Sequence, residues 1–468
     1  MKKGTIIEGV VETLDFPNKG VVKTEEGTVI VKGTLPGQTV KARINKTRSG
    51  KCEGMLLEVT AKSDLQSREP VCPHFGECGG CTYQDVPYEK QLRLKADQVK
   101  KLLDNAAREP YEFEGITGSP SEFDYRNKME FSFGDEYKDG PLALGLHKKC
   151  SFYDIVSLTG CKIVNEDYNR IIKIALAVAK KYGADYYHKI THKGFLRHLL
   201  VRRSFYENAY LVALVTAGDD VESKLSSGER AAFVNEFKEE LLNADLKGKF
   251  AGILHIENSR EADIVQADKV NVLYGKEYFT EELLGLKFKV STFSFFQTNT
   301  KGAEVLYSLA RDYVGETKDK IVFDLYSGTG TIGQILSPVA KSVVGIELIE
   351  EAVEAANENT ALNGITNARF IAGDVFKKLD EVEEKPDIIV LDPPRDGVGD
   401  KALAKIIDYG VENIVYISCK PTSLARDLAL LQERGYRLVK ARCVDMFPNT
   451  SGVETCSLLT KSSIYSNL

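Results

Sequence analysis

From residue 300 onward, strand-like and helix-like patterns alternate, and this alternation limits the fold more than any other feature of the chain. An amphipathic helix pattern at Thr300–Val314 comes first. Four short apolar runs follow, with helical patterns between them: Ile321–Leu325, Ser342–Ile346, Ile388–Leu391 and Ile414–Ile417. Strands that alternate with helices form parallel sheets with helices on both faces. We therefore predict a Rossmann-like α/β domain over residues 291–468.

A glycine-rich turn follows the first of these strands and indicates a cofactor site. The strand ends near Asp324, and Ser327–Gly333 reads Ser-Gly-Thr-Gly-Thr-Ile-Gly before a helix pattern. Glycine permits close approach of the backbone to a ligand. Glu347 closes the next strand, where an acid can accept both hydroxyls of a ribose. Because the glycines also match G-x-G-x-x-G, this turn alone leaves S-adenosylmethionine and a nicotinamide dinucleotide open.

Two later strand ends carry reactive side chains. Asp-Pro-Pro-Arg at 392–395 ends the third strand, and Cys419 ends the fourth. Ligands bind at the carboxyl ends of such strands. C5 of a pyrimidine becomes nucleophilic only after an addition at C6, and a thiolate suits that addition. Cys419 thus indicates carbon methylation of a base. A dehydrogenase has no obvious use for Asp-Pro-Pro and a cysteine at neighbouring strand ends. A buried structural cysteine is the alternative.

The general base of such a reaction is expected to be a carboxylate. No histidine follows His255 in the sequence, so a Cys–His pair cannot form within the C-terminal domain. Glu454 lies on a late strand pattern whose start can approach Cys419. An exposed strand acid is the alternative interpretation of Glu454.

The N-terminal residues predict a small β-barrel. Five short strand patterns are separated by turn signals: Ile6–Glu12, Gly20–Lys23, Thr28–Val31, Gln38–Ile44 and Met55–Val59. Five strands in so short a stretch fit an OB-like barrel, a common nucleic-acid-binding fold. Mixed strand and helix patterns follow, so we predict a barrel over residues 1–62 and a central α+β domain over residues 63–290.

The composition is that of an ordinary soluble globular protein. Hydrophobic residues make up 43% and charged residues 28%, and the net charge of −6 does not by itself indicate a nucleic-acid binder. The start leads into a strand pattern rather than an apolar signal segment, and no stretch approaches the length of a membrane span. We expect a cytoplasmic protein whose nine cysteines serve metal binding or catalysis rather than disulfides.

Three cysteines stand close together, in the pattern Cys72-x5-Cys78-x2-Cys81. Four cysteines can bind zinc or a [4Fe-4S] cluster. The x5 spacing is unlike the paired C-x2-C of zinc ribbons, and the pattern is also unlike the C-x3-C-x2-C of radical methyl chemistry. Cys150 and Cys161 are both available as a fourth ligand.

One segment of the central domain, residues 188–206, is rich in basic and aromatic side chains and contains no acid. Its arginines are Arg197, Arg202 and Arg203. Such a segment can hold phosphates and stack bases. A solvated strand face is the alternative.

Taken together, the motifs resemble the RNA 5-methyluridine (uracil-5) methyltransferases over nearly the full length of the chain. The matching segments, in family order, are Phe296-Gln297-x-Asn299, the Asp-Leu-Tyr-Ser-Gly-Thr-Gly that starts at Asp324, the Asp-Pro-Pro-Arg that starts at Asp392, the Ser-Cys-Lys-Pro that starts at Ser418, and the Asp-Met-Phe-Pro that starts at Asp445. The barrel resembles the TRAM domain of the large-subunit rRNA branch. The tRNA-acting branch typically lacks the barrel and the cysteine cluster, so the resemblance favours 23S rRNA as the partner.

The resemblance also implies a role for each matching residue. Cys419 would be the nucleophile, and Glu454 the base that removes the C5 proton. The implied cofactors are S-adenosyl-L-methionine and a [4Fe-4S] cluster. The implied ligands of S-adenosyl-L-methionine are Gln297, Tyr326, Thr331, Glu347, Asp374 and Asp392, and those of the cluster are Cys72, Cys78, Cys81 and Cys161. We expect a monomer that binds RNA through the barrel and the central domain and has no membrane partner.

Three residues depart from the family pattern. Lys420 stands where an Asn is common, and Gly452 and Asn449 stand where His is frequent. These departures motivate one further hypothesis, an rRNA-binding assembly factor with a vestigial methyltransferase domain. An NAD-dependent dehydrogenase is the remaining alternative.

Overall fold

The N-terminal strands close into a barrel. The computed structural model describes residues 1–48, 51–262 and 267–462. The barrel strands are β1 (Ile6–Asp15), β2 (Lys19–Thr24), β3 (Gly27–Lys32), β4 (Thr39–Arg48) and β5 (Lys51–Ala61), in the order β1-β2-β3-β5-β4. Alternate residues point inward, and Val11, Val22, Val29 and Val40 are completely buried. The predicted five-stranded barrel is confirmed.

The next two elements pack with the C-terminal domain, although they lie in the stretch predicted as the central domain. Helix α1 (Tyr88–Ala106) is followed by strand β6 (Glu112–Thr117). Strand β6 forms the edge of the C-terminal sheet and runs parallel to a late strand. The sheet therefore draws on a segment that precedes residue 291 by more than a hundred positions, because strand pairing is set by space and not by order along the chain.

The central region is built on a seven-stranded sheet. Its elements are β7 (Lys128–Asp135), β8 (Leu142–His147), β9 (Ile155–Ser157), α2 (Glu166–Lys181), β10 (Leu196–Ser204), β11 (Ala209–Thr216), α3 (Ser227–Leu242), β12 (Lys249–Glu257) and β13 (Lys269–Gly275). The strand order is β13-β12-β11-β10-β7-β8-β9. A two-stranded sheet, β14 (Tyr278–Leu283) with β15 (Leu286–Ser291), follows. Strands β10 and β11 are almost wholly buried because helices and β14 cover their faces.

Burial of this central sheet corrects the hypothesis about residues 188–206. Arg197 donates to three main-chain carbonyls of residues 258–262. Arg202, 1% exposed, donates to three carbonyls of residues 291–294. Both guanidinium groups therefore cross-link the fold, and the expectation that they meet RNA phosphates or solvent is wrong for these two residues.

The C-terminal sheet has eight strands, in the order β18-β17-β16-β19-β20-β22-β21-β6. Its remaining elements are α4 (Thr300–Val314), β16 (Thr317–Leu325), α5 (Thr331–Leu336), β17 (Ala340–Glu347), α6 (Glu350–Leu362), β18 (Ala368–Ala372), α7 (Val375–Lys378), β19 (Ile388–Leu391), α8 (Asp400–Asp408), β20 (Asn413–Ser418), α9 (Pro421–Glu433), β21 (Tyr436–Val444) and β22 (Glu454–Lys461). The first five strands are parallel, and β22 is antiparallel to both neighbours.

The parallel part confirms the predicted Rossmann-like α/β domain. Its strand order reverses at β16, which lies between β17 and β19. This is the switch point where open α/β sheets bind ligands. In the part of the chain that the structure describes, no helix is both long and apolar enough to cross a bilayer.

Candidate active site

The glycine-rich turn lies directly after β16. Gly328 and Gly330 adopt φ of 53° and 72°, in the left-handed region that favours glycine. A Cβ on Gly330 would lie 2.6 Å from the ring of Phe370, whereas a Cβ on Gly328 would meet nothing within 4 Å. The first glycine therefore borders open space, and the second is required for packing. Tyr326, just before them, also has a positive φ of 65°.

Two carboxylates hold the turn from below. Asp324 Oδ2 accepts from the N–H of Gly333 at 2.8 Å, and Glu347 Oε2 accepts from the N–H of Gly328 at 2.9 Å. Burial raises the pKa of Asp324 to about 7, and the charges of Asp392 and Glu347 add to that effect. Asp324 Oδ1 and Ser327 Oγ are buried without a hydrogen-bond partner in the described chain. The turn thus presents polar atoms that a ligand can satisfy.

The other predicted cofactor residues surround the same turn. Thr331 is buried, and its hydroxyl lies 3.4 Å from that of Thr329. Gln297 is 9% exposed, and its main-chain carbonyl accepts from Asn127 at 2.9 Å. Asp374 is exposed and caps α7 by accepting from the N–H of Lys377. Burial and the charge of Asp374 raise the pKa of Tyr326 to about 12, which places Asp374 within electrostatic range of the turn.

The nucleophile candidate faces the base candidate across two neighbouring strands. Ser418 at the end of β20 pairs with Thr455 of β22. Cys419 comes directly after Ser418, and Glu454 directly before Thr455, so the two residues lie at the same end of the antiparallel strand pair. Burial raises the pKa of the Cys419 thiol to about 11, with further raising by Glu454 and Asp392 and lowering by Arg395. The structure therefore brings together all four of these side chains.

The two carboxyl groups beside Cys419 are strongly perturbed. Burial raises the pKa of Glu454 well above its usual range, and Asp392 raises it further, while Arg395 lowers it. Desolvation also raises the pKa of Asp392 to about 7, although that side chain keeps some exposure to solvent. Groups perturbed in this way and set around one thiol are typical of active sites.

Tyr307 of α4 lies beneath this group, and the sequence analysis did not identify it. Its side chain is 3% exposed and is hydrogen-bonded to Gln297. Burial raises its pKa well above the usual value, and the charges of Asp392, Glu454 and Asp324 contribute. Tyr307 therefore contacts Gln297 on the cofactor side of the site and lies within electrostatic range of Glu454. Its position about two turns into a predicted amphipathic helix offered no signal beyond that of a core residue.

The loop that carries Arg395 is fastened by α9. Asp427 Oδ2 accepts from the N–H of Val398 at 2.9 Å and from the hydroxyl of Tyr416 at 2.7 Å. Ser423 donates to the carbonyl of Arg395 at 2.7 Å. Ser423 and Asp427, which follow Cys419 in the chain, thus hold the neighbouring strand end in place.

The loop that leads to Glu454, residues 445–453, is fastened by α1. Lys95 donates to Asp445 Oδ1 at 2.6 Å and to the carbonyl of Phe447 at 3.0 Å. Both charged side chains are at most 1% exposed. Asn449 has φ of 66°, a conformation that asparagine tolerates better than most residues. We call residues 445–453 the base loop.

The four cysteines predicted as metal ligands lie close together. Burial raises the pKa of Cys81 to about 12, and charge on Cys161, Cys72 and Cys78 raises it further. Burial raises the pKa of Cys161 to about 11, with added raising by Cys72 and Cys78. The pKa of Cys78 is also raised, mainly by burial and in part by Cys72. Every pair of the four is thus in electrostatic range, whereas Cys150 is exposed.

Polar N–H groups point at two of the sulfur atoms. The N–H of Gly80 donates to Cys78 Sγ, and Gln84 Nε2 donates to Cys81 Sγ, both at 3.4 Å. Hydrogen bonds of this kind stabilise negative charge on sulfur, as a metal-bound thiolate needs. Among the residues that the structure describes, however, no three Cys, His, Asp or Glu side chains converge closely enough to hold a metal ion.

Comparison with known proteins places the chain among RNA-modifying enzymes. The family model described as tRNA (uracil-5-)-methyltransferase matches residues 253–462. An uncharacterized RNA methyltransferase of Caldanaerobacter subterraneus subsp. tengcongensis is 46% identical over 462 residues, which cover 99% of this chain and all of that one. An uncharacterized RNA methyltransferase of Clostridium tetani is 46% identical over 456 residues, 97% of each chain.

A solved structure shares the whole architecture. The Pyrococcus abyssi tRNA (uracil-54, C5)-methyltransferase in complex with S-adenosyl-L-homocysteine superposes with a TM-score of 0.73. The match covers 97% of this chain and 100% of that one at 23% sequence identity. At this identity the likeness shows a common fold.

Proposed function

The chain belongs to the RNA uracil-5-methyltransferase family, and from that membership we propose that it methylates C5 of a uridine in RNA with S-adenosyl-L-methionine. The observation that carries this proposal is the position of Cys419, directly after the end of β20, beside Glu454 at the start of β22, where the charge of Glu454 raises the pKa of the thiol. A nucleophile for C6 and a base for C5 must reach adjacent atoms of one ring, so the two side chains have to lie at the same end of the strand pair. Family membership also removes the support for a dehydrogenase.

Cys419 starts the reaction as a thiolate. The target uridine leaves its stack and enters the site at a cost of a few kcal/mol. The sulfur adds to C6 of the uracil, and the electron pair of the C5–C6 double bond moves to give an enolate that is nucleophilic at C5. S-adenosyl-L-methionine, when bound, supplies the methyl group that C5 takes. Arg395 favours the thiolate, since its positive charge lowers the pKa of Cys419.

Glu454 ends the reaction. It removes the proton from C5, the double bond re-forms, and the C6–S bond breaks to release Cys419 as a thiolate. Its pKa, raised by burial, makes the Glu454 carboxylate a stronger base than an ordinary one. The proton on Glu454 then leaves to solvent, and S-adenosyl-L-homocysteine is the second product.

The turn after β16 is the proposed site of S-adenosyl-L-methionine. Gly328 borders open space, and Asp324 Oδ1 and Ser327 Oγ have no hydrogen-bond partner among the residues that the structure describes. Glu347 is held at the end of β17 by main-chain N–H groups, in position for the ribose hydroxyls. Gln297, Tyr326, Thr331, Asp374 and Asp392 complete the proposed contact set.

We propose 23S rRNA as the substrate and the barrel as a TRAM domain that helps to bind it. The barrel does not itself discriminate between substrates, because the tRNA-modifying enzyme of Pyrococcus abyssi aligns with 97% of this chain. That finding weakens the expectation that the barrel marks the rRNA branch, and tRNA is the second candidate. The proposal for rRNA rests on the four-cysteine arrangement.

Cys72, Cys78, Cys81 and Cys161 are the proposed ligands of a [4Fe-4S] cluster. Their mutual proximity and the N–H groups aimed at two of the sulfurs support this proposal. Iron and zinc analysis after anaerobic purification tests this, since stoichiometric zinc in a colourless protein would exclude the cluster.

The reaction is tested by methyl transfer to defined transcripts. The purified protein is incubated with labelled S-adenosyl-L-methionine and either 23S rRNA or tRNA transcripts, and digested nucleosides are analysed by mass spectrometry. We expect 5-methyluridine in the rRNA. Methylation of tRNA alone would correct the substrate. RNA that binds yet acquires no methyl group on either transcript would favour the assembly-factor hypothesis.

A further inference from the structure

A buried hydrogen-bond network joins the four-cysteine site to the base loop. Gln84, 1% exposed, contacts both ends of the cysteine motif: its Oε1 accepts from the N–H of Cys72 at 3.0 Å and its Nε2 donates to Cys81 Sγ at 3.4 Å. The carbonyl of Gln84 accepts from Arg68 Nε at 2.9 Å. The same guanidinium donates through Nη2 to Asn449 Oδ1 at 3.1 Å. One arginine thus links the cysteine segment to the base loop.

A second connection is made by the main chain that follows Cys81. The N–H groups of Thr82 and Tyr83 both donate to the carbonyl of Asn449, at 2.7 and 3.0 Å. Gln91, completely buried on α1, accepts from the N–H of Asn449 at 2.9 Å and donates to its Oδ1 at 3.1 Å. Gln91 also donates to the carbonyl of Tyr83. Asn449 therefore has its main chain and its side chain engaged by the cysteine segment and its neighbours.

Asn449 uses every polar group that it has. Its Nδ2 donates to the carbonyl of Glu122 at 3.2 Å, in addition to the bonds just described. The residue is 0% exposed. A buried network of this kind is rigid when each member is satisfied and loses its order when one is removed. Five residues further along the chain is Glu454, at the start of β22.

We propose that Asn449 is a positioning residue for Glu454, and that it transmits the state of the four-cysteine site to the proton-removal step. The proposal rests on the proposed function and goes beyond it, because it gives the cysteine site a role in catalysis. With the cysteines held together, Thr82 and Tyr83 fix Asn449 and the base loop. With the cysteine site opened, the base loop gains freedom and Glu454 loses its alignment with C5.

The kinetic consequence is specific to one step. Glu454 acts only after C5 has been methylated, so a misplaced Glu454 leaves addition and methyl transfer intact. The methylated RNA then stays attached to Cys419 for longer. Displacement of a reacting group by about 1 Å can slow a step by about 100-fold.

The first test compares Asn449→Gly with Asn208→Gly. Both asparagines have positive φ, but Asn208 lies in an exposed turn, so the pair separates loss of the network from the substitution itself. For Asn449→Gly we expect a normal fraction of enzyme trapped by 5-fluorouridine RNA, turnover about 100-fold slower, and an accumulated methylated adduct on ordinary RNA. Arg68→Met, which removes one link, should show the same pattern to a smaller extent.

The second test measures the connection between the cysteine site and the base loop by hydrogen exchange, without any methylation reaction. Hydrogen exchange of residues 445–453 is compared among wild type, Asn449→Gly and Cys72→Ser, with iron content measured for each and residues 19–32 of the barrel as reference. We expect loss of metal in Cys72→Ser to speed exchange of the base loop as Asn449→Gly does, with the barrel unchanged.

Several results would overturn the proposal. Trapping and turnover that fall together in Asn449→Gly and Arg68→Met would indicate a structural role only, and unchanged turnover would indicate none. A base loop that exchanges normally in metal-free Cys72→Ser, or a wild type that binds no metal, would remove the link to the cysteines. Failure of the proposed function is distinct, since wild type itself would then yield no 5-methyluridine.

Discussion

The two halves of the active-site edge are built in different ways. On the parallel side, the strand ends of β16, β19 and β20 present the cofactor turn, Asp392 and Cys419, and each is fastened by residues nearby in sequence. On the antiparallel side, distant residues fasten the base loop before Glu454. Lys95 pairs with Asp445, and Arg68 and Gln91 donate to Asn449. The hydroxyl of Tyr125 donates to the carbonyl of Pro448.

The difference shows how one site can be assembled from local and distant parts of a chain. The nucleophile depends on contacts such as Asp427 with Tyr416, eleven residues apart. The base depends on Lys95 with Asp445, which are 350 residues apart. Changes in the parallel side are therefore expected to alter chemistry directly, whereas changes in the N-terminal half are expected to act on the position of the base.

Removal of the nucleophile gives the largest expected effect and acts on the parallel side alone. Cys419→Ala leaves C6 without an attacking group, so methyl transfer should fall by at least about 10⁴-fold. The measurement is 5-methyluridine formation under single-turnover conditions. Cys150→Ala, at an exposed cysteine, is the matched control and should retain activity. Residual methylation within tenfold of wild type in Cys419→Ala would exclude it as nucleophile.

Removal of the base acts on the antiparallel side and should separate the two steps. Glu454→Gln keeps the shape of the side chain but cannot accept the C5 proton. Turnover should fall by about 10²–10⁴-fold, the usual contribution of general-base catalysis, while one methyl group per enzyme is still transferred. Gel electrophoresis under denaturing conditions measures the methylated adduct, and Glu412→Gln serves as control. Normal turnover by Glu454→Gln would remove Glu454 from the mechanism.

The long-range fastening is tested by stability. Lys95→Met leaves Asp445 buried without its partner, so the free energy of unfolding should fall by about 3–5 kcal/mol. Lys100→Met breaks a half-exposed pair with Asp104 on the same helix and should cost about 0.3–0.5 kcal/mol. Urea unfolding measures both. The double variant Lys95→Met with Asp445→Leu should recover part of the loss. Equal effects of the two single substitutions would show that the buried pair has no special role.

The smallest expected effect concerns the charge balance around the thiol. The pKa of Cys419 is raised to about 11, chiefly by burial and then by Glu454 and Asp392. Glu454→Gln removes a negative charge and should lower that pKa, so alkylation of Cys419 rises at lower pH than in wild type. Arg395→Gln removes a positive charge and should raise it. Peptide mass spectrometry after iodoacetamide pulses measures the profile, with Cys150 as internal reference. Shifts in the opposite directions would contradict the described geometry.

The sequence predicted the local half of the site better than the distant half. The strands that end near Asp324, Asp392 and Cys419 follow from β-branched runs and turn residues, because those signals act over a few positions. The membership of β6 in the C-terminal sheet and the pairing of Lys95 with Asp445 could not be read in this way. No local pattern specifies which distant side chain will satisfy a buried charge.

The burial of charged side chains, like long-range pairing, could not be predicted from the sequence. Arg197 and Arg202 lie in a segment whose basic and aromatic composition suits phosphate binding. In the structure, however, both donate to main-chain carbonyls inside the protein. Asn449 stands out in sequence only as a departure from a frequent His. Its left-handed backbone and its contacts to the cysteine segment give that departure a structural reason.

The most direct test of the account is covalent trapping with RNA that contains 5-fluorouridine. Fluorine at C5 cannot be removed by Glu454, so a reaction that proceeds through Cys419 must stop as a stable adduct. We predict an RNA–protein band on a denaturing gel that requires both S-adenosyl-L-methionine and Cys419. Absence of that band on RNA shown to bind the protein, or its persistence in Cys419→Ala, would contradict the proposed mechanism.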